Sequence, residues 1–324
     1  MEKLLITGAG GFIGSHLVEK CIEEGYAVRA FVHYNSKNNW GWLEQSKYIN
    51  EIEVLSGDIR DFDSVHNAMN TCDTVFHLAA LIGIPYSYVT PLAYIKTNVE
   101  GTYNILQSAK MLGTKNIIIT STSETYGTAK YVPIDEKHIH FGQSPYSASK
   151  IAADQLAISY LKSFELPVKI VRPFNTYGPR QSARAIIPTI IMQILLGKEK
   201  ISLGNTTPTR DLTYVKDTVS GFINILKCDK LLGETINIGM NQEITIANLV
   251  NLISEIMESN VEIISDAQRI RPENSEVKRL LCDNSKLVNN TNWLPKYDLS
   301  TGLIETIEWL KNNIDLYKTE TYNV

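Results

Sequence analysis

The sequence predicts an α/β fold in which a doubly wound parallel sheet carries a smaller α/β substrate-binding domain. Short apolar runs alternate with helical patterns from residue 3 to 173, which is typical of consecutive β-α-β units. A glycine-rich turn, GAGGFIG, separates the first apolar run from the first helical pattern. Small or polar residues follow several of the other runs, at the strand ends where a parallel sheet binds its ligands. Together these features indicate a Rossmann-type sheet.

The apolar runs and the periodic segments place the elements along the chain. We expect parallel strands at 3–7, 27–33, 53–56, 74–78, 117–121 and 168–172. Helical patterns lie at 91–112, 186–196, 246–258 and 299–313, and a further helix should begin near Ser144-Pro145. Because the alternation ends after residue 173, we predict a dinucleotide-binding domain over 1–173. The chain is expected to return to this domain near 206–235. The substrate-binding domain then takes 174–205 and 236–324.

Composition and charge exclude several classes of protein. The chain has 324 residues and a net charge of −4, which does not favour nucleic acid or a membrane as a partner. No apolar run approaches the ~18 residues that a membrane span needs, and no signal peptide is evident. Its four cysteines are scattered without metal-ligand spacing, as expected of reduced thiols. We therefore expect a cytoplasmic protein that has no metal site.

The glycine turn predicts a dinucleotide site. Gly8 permits the tight turn, Gly11 lets the backbone approach a pyrophosphate, and Gly14 lets the helix pack on the strand. The anion would then bind at the helix N-terminus, beside Phe12 and Ile13. The spacing is Gly-x-x-Gly-x-x-Gly, and a purely structural glycine turn is the alternative.

The end of the second strand bears on the choice of cofactor. An Asp or Glu there would accept the 2′-hydroxyl of NAD, but the sequence runs His33-Tyr34-Asn35-Ser36-Lys37. Hydroxyl, amide and ammonium groups suit a 2′-phosphate better than a carboxylate does. We therefore favour NADP, bound by His33, Ser36 and Lys37. If Lys37 is only a solvated loop charge, NAD remains the alternative.

Other strand ends supply further cofactor contacts. Asp58 is placed to accept a hydrogen bond from the adenine amino group, with Ile59 next to it. His77 is interpreted as a core histidine rather than a base. The small residues that follow it would let a dinucleotide lie against the backbone. The remaining predicted cofactor contacts are Leu78, Ala79, Ala80 and Pro173.

The chemistry is predicted between residues 120 and 150. Tyr146 and Lys150 are four residues apart on a helix and share one face. An ammonium beside a phenol should lower the pKa of the tyrosine, and the Thr122 hydroxyl can steady the same substrate oxygen. Glu124 suggests a second proton transfer. The alternative is a solvated helix face without catalytic function.

These residues resemble the extended short-chain dehydrogenase/reductase family of sugar-nucleotide enzymes over nearly the full chain. The matching motifs are Gly8-x-x-Gly11-x-x-Gly14, Asp58-Ile59, His77-Leu78-Ala79-Ala80, Thr97-Asn98, Tyr146-x-x-x-Lys150, Arg172-Pro173-Phe174-Asn175 and Arg210-Asp211. Thr122-Ser123-Glu124 is similar to the 4,6-dehydratases of this family, although UDP-glucuronate decarboxylases also carry this triplet. Flanking stretches resemble the GDP-N-acetylglucosamine 4,6-dehydratases of legionaminic acid biosynthesis.

The resemblance implies a reaction sequence. Tyr146 would take the proton of the sugar 4-hydroxyl while C4 gives a hydride to the nicotinamide. Glu124 would then remove the C5 proton, and water would leave from C6 with help from Ser123 and Glu124. The hydride returns to C6, so the cofactor is regenerated and retained. The product is a 4-keto-6-deoxy sugar nucleotide.

The resemblance also implies a substrate site and a partner. Asn175 would bind the diphosphate, and the other implied contacts flank the nucleotide and the sugar. These contacts are Ile82, Tyr88, Arg184, Ala185, Ile186, Arg210 and Arg271. Family members commonly form homodimers through the helices that here span about 91–112 and 145–164.

Three other functions stay open. A 4-epimerase shares Tyr146 and Lys150 but does not need a base at Glu124. A UDP-glucuronate decarboxylase needs a cation for the substrate carboxylate, whereas the loop after Ala80 offers apolar and aromatic side chains. A non-catalytic dinucleotide-binding sensor has the same fold, but it has no use for an activated phenol.

Overall fold

The computed structural model describes residues 2–318; Met1 and 319–324, the ends of the two predicted domains, lie outside the described residues. Its centre is a sheet of seven parallel strands in the order β3-β2-β1-β4-β5-β6-β11. The strands are β1 (Lys3–Thr7), β2 (Ala27–His33), β3 (Ile52–Gly57), β4 (Thr74–His77), β5 (Asn116–Thr120), β6 (Val168–Pro173) and β11 (Thr235–Ile238). The predicted fold class is confirmed.

The strands form where the sequence has continuous apolar runs because both faces of the sheet are covered. Leu4, Leu5 and Ile6 are all fully buried, as are the three isoleucines of β5. On one face, Leu4 and Ile6 pack with the helices at 12–23 and 215–226. On the other face, Leu5 packs with the helices at 62–69, 101–112 and 145–164. Two cores therefore hold the sheet between helical layers.

The helices occupy the segments between strands. They are α1 (Phe12–Glu23), α2 (Phe62–Met69), α3 (Ile84–Val89), α4 (Pro91–Tyr94), α5 (Gly101–Leu112), α6 (Pro145–Phe164), α7 (Ile186–Leu195), α8 (Val215–Leu226), α9 (Ile246–Ile256), α10 (Ser285–Asn290) and α11 (Leu299–Asn312). Within residues 2–318, none of them is long and apolar enough to cross a membrane.

The predicted helix over 91–112 is helical throughout but not uniformly α. A π-helical turn, Ile95–Glu100, joins α4 to α5. The side chain of Asn98 in this turn binds both backbone groups of Leu81 and the hydroxyl of Ser149. Insertions of this kind are frequent at functional sites, and this one attaches the loop after β4 to helix α6.

Beyond residue 173 the chain forms short sheets outside the main one. The strands are β7 (Asn175–Tyr177), β8 (Lys200–Leu203), β9 (Thr209–Arg210), β10 (Leu212–Tyr214), β12 (Ile244–Thr245) and β13 (Glu262–Ser265). The pairs β7–β10 and β8–β13 are parallel, and β9–β12 is antiparallel. The return of the chain to the main sheet extends to Ile238. The proposed division into two domains stays a prediction.

Candidate active site

The glycine turn after β1 brings the backbone of three segments together. Gly8 has a φ of +69°, and a Cβ there would lie 2.9 Å from the nitrogen of Ala79. A Cβ on Gly14 would overlap the carbonyl oxygen of Gly8, so the close approach of α1 to β1 requires glycine. Gly11 is the N-cap of α1 without a side-chain cap. The first turn of α1, with Phe12 and Ile13, therefore presents N–H groups suited to a pyrophosphate.

The neighbouring strand end is fixed by a buried hydrogen-bond network. The hydroxyl of Thr7 accepts hydrogen bonds from the backbone nitrogens of Leu78 and Ala79, both at 3.1 Å. It also bonds His77 Nδ1 at 2.9 Å, while His77 Nε2 bonds Thr102 at 3.2 Å. Burial lowers the pKa of His77 to about 3, so the ring is neutral. The interpretation of His77 as a core histidine is confirmed.

The loop after β2 is organised by Asn35. Its Oδ1 accepts from the backbone nitrogens of Lys37 (3.2 Å) and Asn39 (3.1 Å), and its Nδ2 donates to the carbonyl of Asn39 at 2.7 Å. His33, Ser36 and Lys37 are exposed around this turn. The three predicted 2′-phosphate ligands therefore share one solvent-facing loop.

Asp58 has a partner that the sequence analysis missed. Arg60 donates from Nε to Oδ1 at 2.9 Å and from an Nη to Oδ2 at 2.5 Å. These hydrogen bonds are the main reason that the pKa of Asp58 is lowered. Ile59, between them, is buried against Gly101. The predicted adenine contact is therefore part of an ion pair rather than a lone carboxylate, and only the spacing Asp-x-Arg could have indicated it.

Helix α6 begins where the sequence predicts and places Tyr146 in its first turn. Ser144 Oγ accepts from the nitrogen of Ser147 at 3.1 Å, and Ser147 Oγ accepts from the nitrogen of Ser144 at 3.0 Å. This capping box, with Pro145 at the first helical position, fixes the helix start. The ring of Tyr146 packs edge-to-face on Tyr94, with centroids 6.2 Å apart.

The expectation that Lys150 lowers the pKa of Tyr146 is wrong for this structure. Burial raises the pKa of Tyr146, the hydrogen bond with Thr122 lowers it, and the charge of Glu124 raises it. Lys150 Nζ instead donates to the carbonyl of Thr120 at 2.7 Å. Burial lowers the pKa of Lys150 to about 8. Burial is the largest cause of the pKa shift of both groups, and it disfavours the charged form of each.

Ser123 and Glu124 follow β5, and the carboxylate of Glu124 acts on the Tyr146 phenol. The segment Ser123–Tyr126 forms a 3-10 turn, and Thr122 Oγ1 accepts from the nitrogen of Glu124 at 3.2 Å. Ser123 is buried and Glu124 half-buried. The carboxylate of Glu124 acts electrostatically on both Tyr146 and Arg210. The predicted acid, phenol and hydroxyls are therefore brought together.

Two predicted arginines meet at a carboxylate that the sequence analysis did not single out. Arg210 donates to Glu276 Oε1 at 3.0 Å, and Arg271 lies 3.5 Å from the same oxygen. Asn175, on β7, has a buried Oδ1 that lacks a hydrogen-bond partner within residues 2–318. Arg271 and Glu276 also border a cleft of about 370 Å³. The residues that line this cleft are Asn205, Thr207, Ile270, Arg271, Glu273, Glu276 and Lys278.

The loop after β4 forms the opposite wall of the site. Tyr88 bonds the hydroxyl of Ser275 at 2.6 Å, which connects this loop to the segment that carries Arg271. Ile82 is exposed. The side chain of Arg184 lies close to Gly83. A Cβ placed on Gly83 would be 3.6 Å from a guanidinium nitrogen of Arg184. Arg184 precedes α7, whose N-cap is Ala185 and whose first residue is Ile186.

Several of the predicted cofactor contacts follow the carboxyl ends of strands of the main sheet. Leu78, Ala79 and Ala80 are half-buried there, and Pro173 is buried at the end of β6. Within residues 2–318, no group of three or more His, Cys, Asp or Glu side chains is placed to hold a metal ion.

Fold and site together define an extended short-chain dehydrogenase/reductase of the kind that acts on sugar nucleotides. Residues 5–306 match the family model described as GDP-mannose 4,6 dehydratase, and the chain belongs to that family. The resemblance seen in the sequence motifs is confirmed at this level.

Known relatives carry several activities. The chain is 33% identical to a UDP-N-acetyl-alpha-D-glucosaminuronate decarboxylase of Bacillus cytotoxicus, over 96% of this chain and 98% of that protein. It is 30% identical to a human dTDP-D-glucose 4,6-dehydratase, over 98% and 92% of the two chains. The crystal structure of DesIV, a dTDP-glucose 4,6-dehydratase of Streptomyces venezuelae with NAD and TYD bound, superposes with a TM-score of 0.88. It covers 98% of this chain and 99% of DesIV, at 26% identity. The family thus includes dehydratases and decarboxylases with one fold.

Proposed function

We propose that this protein is a cytoplasmic sugar-nucleotide 4,6-dehydratase that converts an NDP-N-acetylhexosamine to its 4-keto-6-deoxy product. The substrate that we favour is GDP-N-acetylglucosamine. The observation that supports it most directly is the carboxylate of Glu124 within electrostatic reach of the Tyr146 phenol. Dehydration needs a base for the C5 proton as well as one for the 4-hydroxyl. A 4-epimerase needs only the second of these groups.

The site residues divide the reaction between them. Tyr146 takes the proton of the 4-hydroxyl, and its hydrogen bond with Thr122 favours the phenolate. Glu124 takes the C5 proton, which the new 4-ketone acidifies, and Ser123 assists the departure of the C6 hydroxyl as water. A nicotinamide dinucleotide, when bound, accepts the hydride from C4 and returns it to C6.

The glycine turn, with its uncapped helix N-terminus, fits the pyrophosphate of such a cofactor. Solved relatives hold NAD. We propose NADP for this chain because His33, Ser36 and Lys37 form an exposed loop without a carboxylate of their own. Since each turnover regenerates the cofactor, it would be retained.

Substrate contacts are proposed along the cleft. Arg210 and Arg271 are placed to bind the diphosphate, and the amide nitrogen of Asn175 would donate a hydrogen bond to it. Ile82 and Tyr88 would lie beside the sugar. The segment 184–186 would contact the nucleotide.

A decarboxylase is the second candidate, and one observation favours it. A substrate carboxylate at C6 needs a cation, and the guanidinium of Arg184 lies next to Gly83 in the loop where C6 is expected. The relative from Bacillus cytotoxicus carries this activity in its name. Loss of carbon dioxide rather than water would identify this reaction.

Mass spectrometry of the products tests the proposal. GDP-N-acetylglucosamine, UDP-N-acetylglucosamine, GDP-mannose and UDP-N-acetylglucosaminuronate are offered separately to the purified protein. The expected result is the loss of one water from an N-acetylhexosamine nucleotide. The substrate that reacts then identifies the nucleotide base. An unchanged mass with an altered sugar proton spectrum would mean epimerisation. No conversion of any substrate would favour a dinucleotide-binding sensor.

A further inference from the structure

Helix α6 presents a third buried polar residue on the face that carries Tyr146 and Lys150. Asp154 lies one turn beyond Lys150 and is fully buried. The segment 120–122, which begins with the last residue of β5, contacts this face at three successive positions. The carbonyl of residue 120 accepts from Lys150, the hydroxyl of residue 121 donates to Asp154, and the hydroxyl of residue 122 bonds Tyr146. Asp154 is thus part of the contact that aligns this segment with the helix.

The two carboxylate oxygens of Asp154 differ in their hydrogen bonding. Its Oδ2 accepts from Ser121 Oγ at 2.8 Å and from Arg172 Nε and Nη at 3.2 and 2.8 Å. Its Oδ1 is buried and lacks a hydrogen-bond partner within residues 2–318. Arg172 also donates to the hydroxyl of Tyr126 at 2.9 Å. Buried ion pairs contribute little net stability because both charges lose their hydration, so this pair invites a functional explanation.

We propose that Asp154 is a positioning residue, which keeps Lys150 charged and aligned and thereby sets the pH range of the alcohol-oxidation step. The inference rests on the proposed function only through this first step, which dehydratases, epimerases and decarboxylases of the family would share. Asp154 does not touch the substrate; it acts through Lys150 and through segment 120–122.

The groups that face Lys150 leave Asp154 as its counter-charge. His77 of β4 faces Lys150 but is neutral. Burial lowers the pKa of Lys150, and the charge of Asp154 raises it. Arg172 of β6 forms an ion pair with Asp154 and partly neutralises it. In the loop before α6, the charge of Arg172 lowers the pKa of His140 and the charge of Asp154 raises it.

Tyr146 is affected in the opposite sense. From other elements it faces Thr122, Glu124 and Tyr94, and the negative charge of Asp154 raises its pKa as well. Removing that charge should lower the pKa of Tyr146 and of Lys150 together. Activity needs a deprotonated phenol and a protonated amine, so both limbs of the pH profile should move to lower pH.

The test is the pH dependence of reduced-nicotinamide formation by the full-length holoenzyme under single-turnover conditions. Asp154→Asn keeps the shape and removes the charge, and we expect both limbs to shift by about one pH unit towards acid. Ser121→Ala removes one hydrogen bond but keeps the charge, so its limbs should stay in place. A slower Asp154→Asn enzyme whose profile coincides with that of the unmodified protein would overturn the proposal.

A second variant covers the case in which Asp154→Asn does not fold. Asp154→Asn combined with Arg172→Gln removes both charges of the pair, so no buried charge is left without a partner. Both limbs should still move to lower pH, because Asp154 is the member of the pair whose charge acts on Lys150 and Tyr146. Limbs that stay in place or move to higher pH contradict the proposal. Because the readout is hydride transfer, failure of water loss would count against the dehydratase assignment and not against the role of Asp154.

Discussion

Glu124 is the residue on which the choice between dehydration and epimerisation depends. Its backbone is held by Thr122, and its carboxylate acts on both Tyr146 and Arg210. Replacement by glutamine removes the base but keeps the size of the side chain. We expect Glu124→Gln to lose water elimination by about 10²-fold or more, while the first hydride transfer continues in part.

The measurement compares reduced-nicotinamide formation with the mass of the product. Glu308→Gln, at an exposed carboxylate of α11, is the matched control and should keep full turnover. Undiminished dehydration by Glu124→Gln would sink the assignment of Glu124 as the C5 base.

Lys37 tests the cofactor at the same scale. Its side chain is exposed on the loop held by Asn35, where a 2′-phosphate would gain a charge-assisted contact. We expect Lys37→Ala to weaken NADP binding by about tenfold while leaving NAD binding nearly unchanged. Binding titrations with NADP and NAD measure the ratio of the two dissociation constants. Lys198→Ala, at another exposed lysine, is the control. Equal losses for the two cofactors, or none for NADP, would favour NAD as the natural cofactor.

At the scale of the element, the capping box of α6 is the feature that places Tyr146. Ser144 and Ser147 satisfy each other's backbone nitrogens. Ser144→Ala should therefore lower the free energy of unfolding by about 1 kcal/mol. Ser159→Ala, at an exposed serine within the same helix, should change it by less than about 0.5 kcal/mol. Denaturant unfolding measures both; equal values would mean that the cap does not stabilise the helix.

The elements that the sequence predicts well are those fixed by local chemistry. Apolar runs such as 117–121 reappear as strands because both sheet faces are covered. Ser144-Pro145 marks the start of α6 because capping depends on neighbouring residues.

Long-range pairing is what the sequence cannot show. Arg60 on Asp58 and Glu276 between two arginines depend on how loops meet. The pKa of Tyr146 was predicted in the wrong direction because its sign depends on burial, which spacing along a helix does not report. The π-helical turn at 95–100 likewise follows from the tertiary contacts of Asn98.

At the scale of the whole molecule, the outer surface of α5 and α6 is unusually apolar. Tyr103 is 44% exposed and Met111 is 60% exposed on α5, and Phe164 at the end of α6 is 46% exposed. Leu92 and Ile95 extend the same helical segment with exposed side chains. Exposed apolar side chains on neighbouring helices are found at protein–protein interfaces, and we propose that these side chains join two copies of the chain.

A charge placed in this surface should separate the two copies, because an unpaired buried carboxylate is costly at an interface. We expect light scattering to give a dimer mass for the unmodified protein and a monomer mass for Tyr103→Glu combined with Met111→Glu. Leu294→Glu, at a leucine that is 65% exposed elsewhere on the chain, should stay dimeric. A monomeric unmodified protein, or a double variant that keeps the dimer mass, would rule out this interface. Since α6 carries Tyr146 and Lys150 on its inner face, the monomeric variant should also be less active if the interface supports the site.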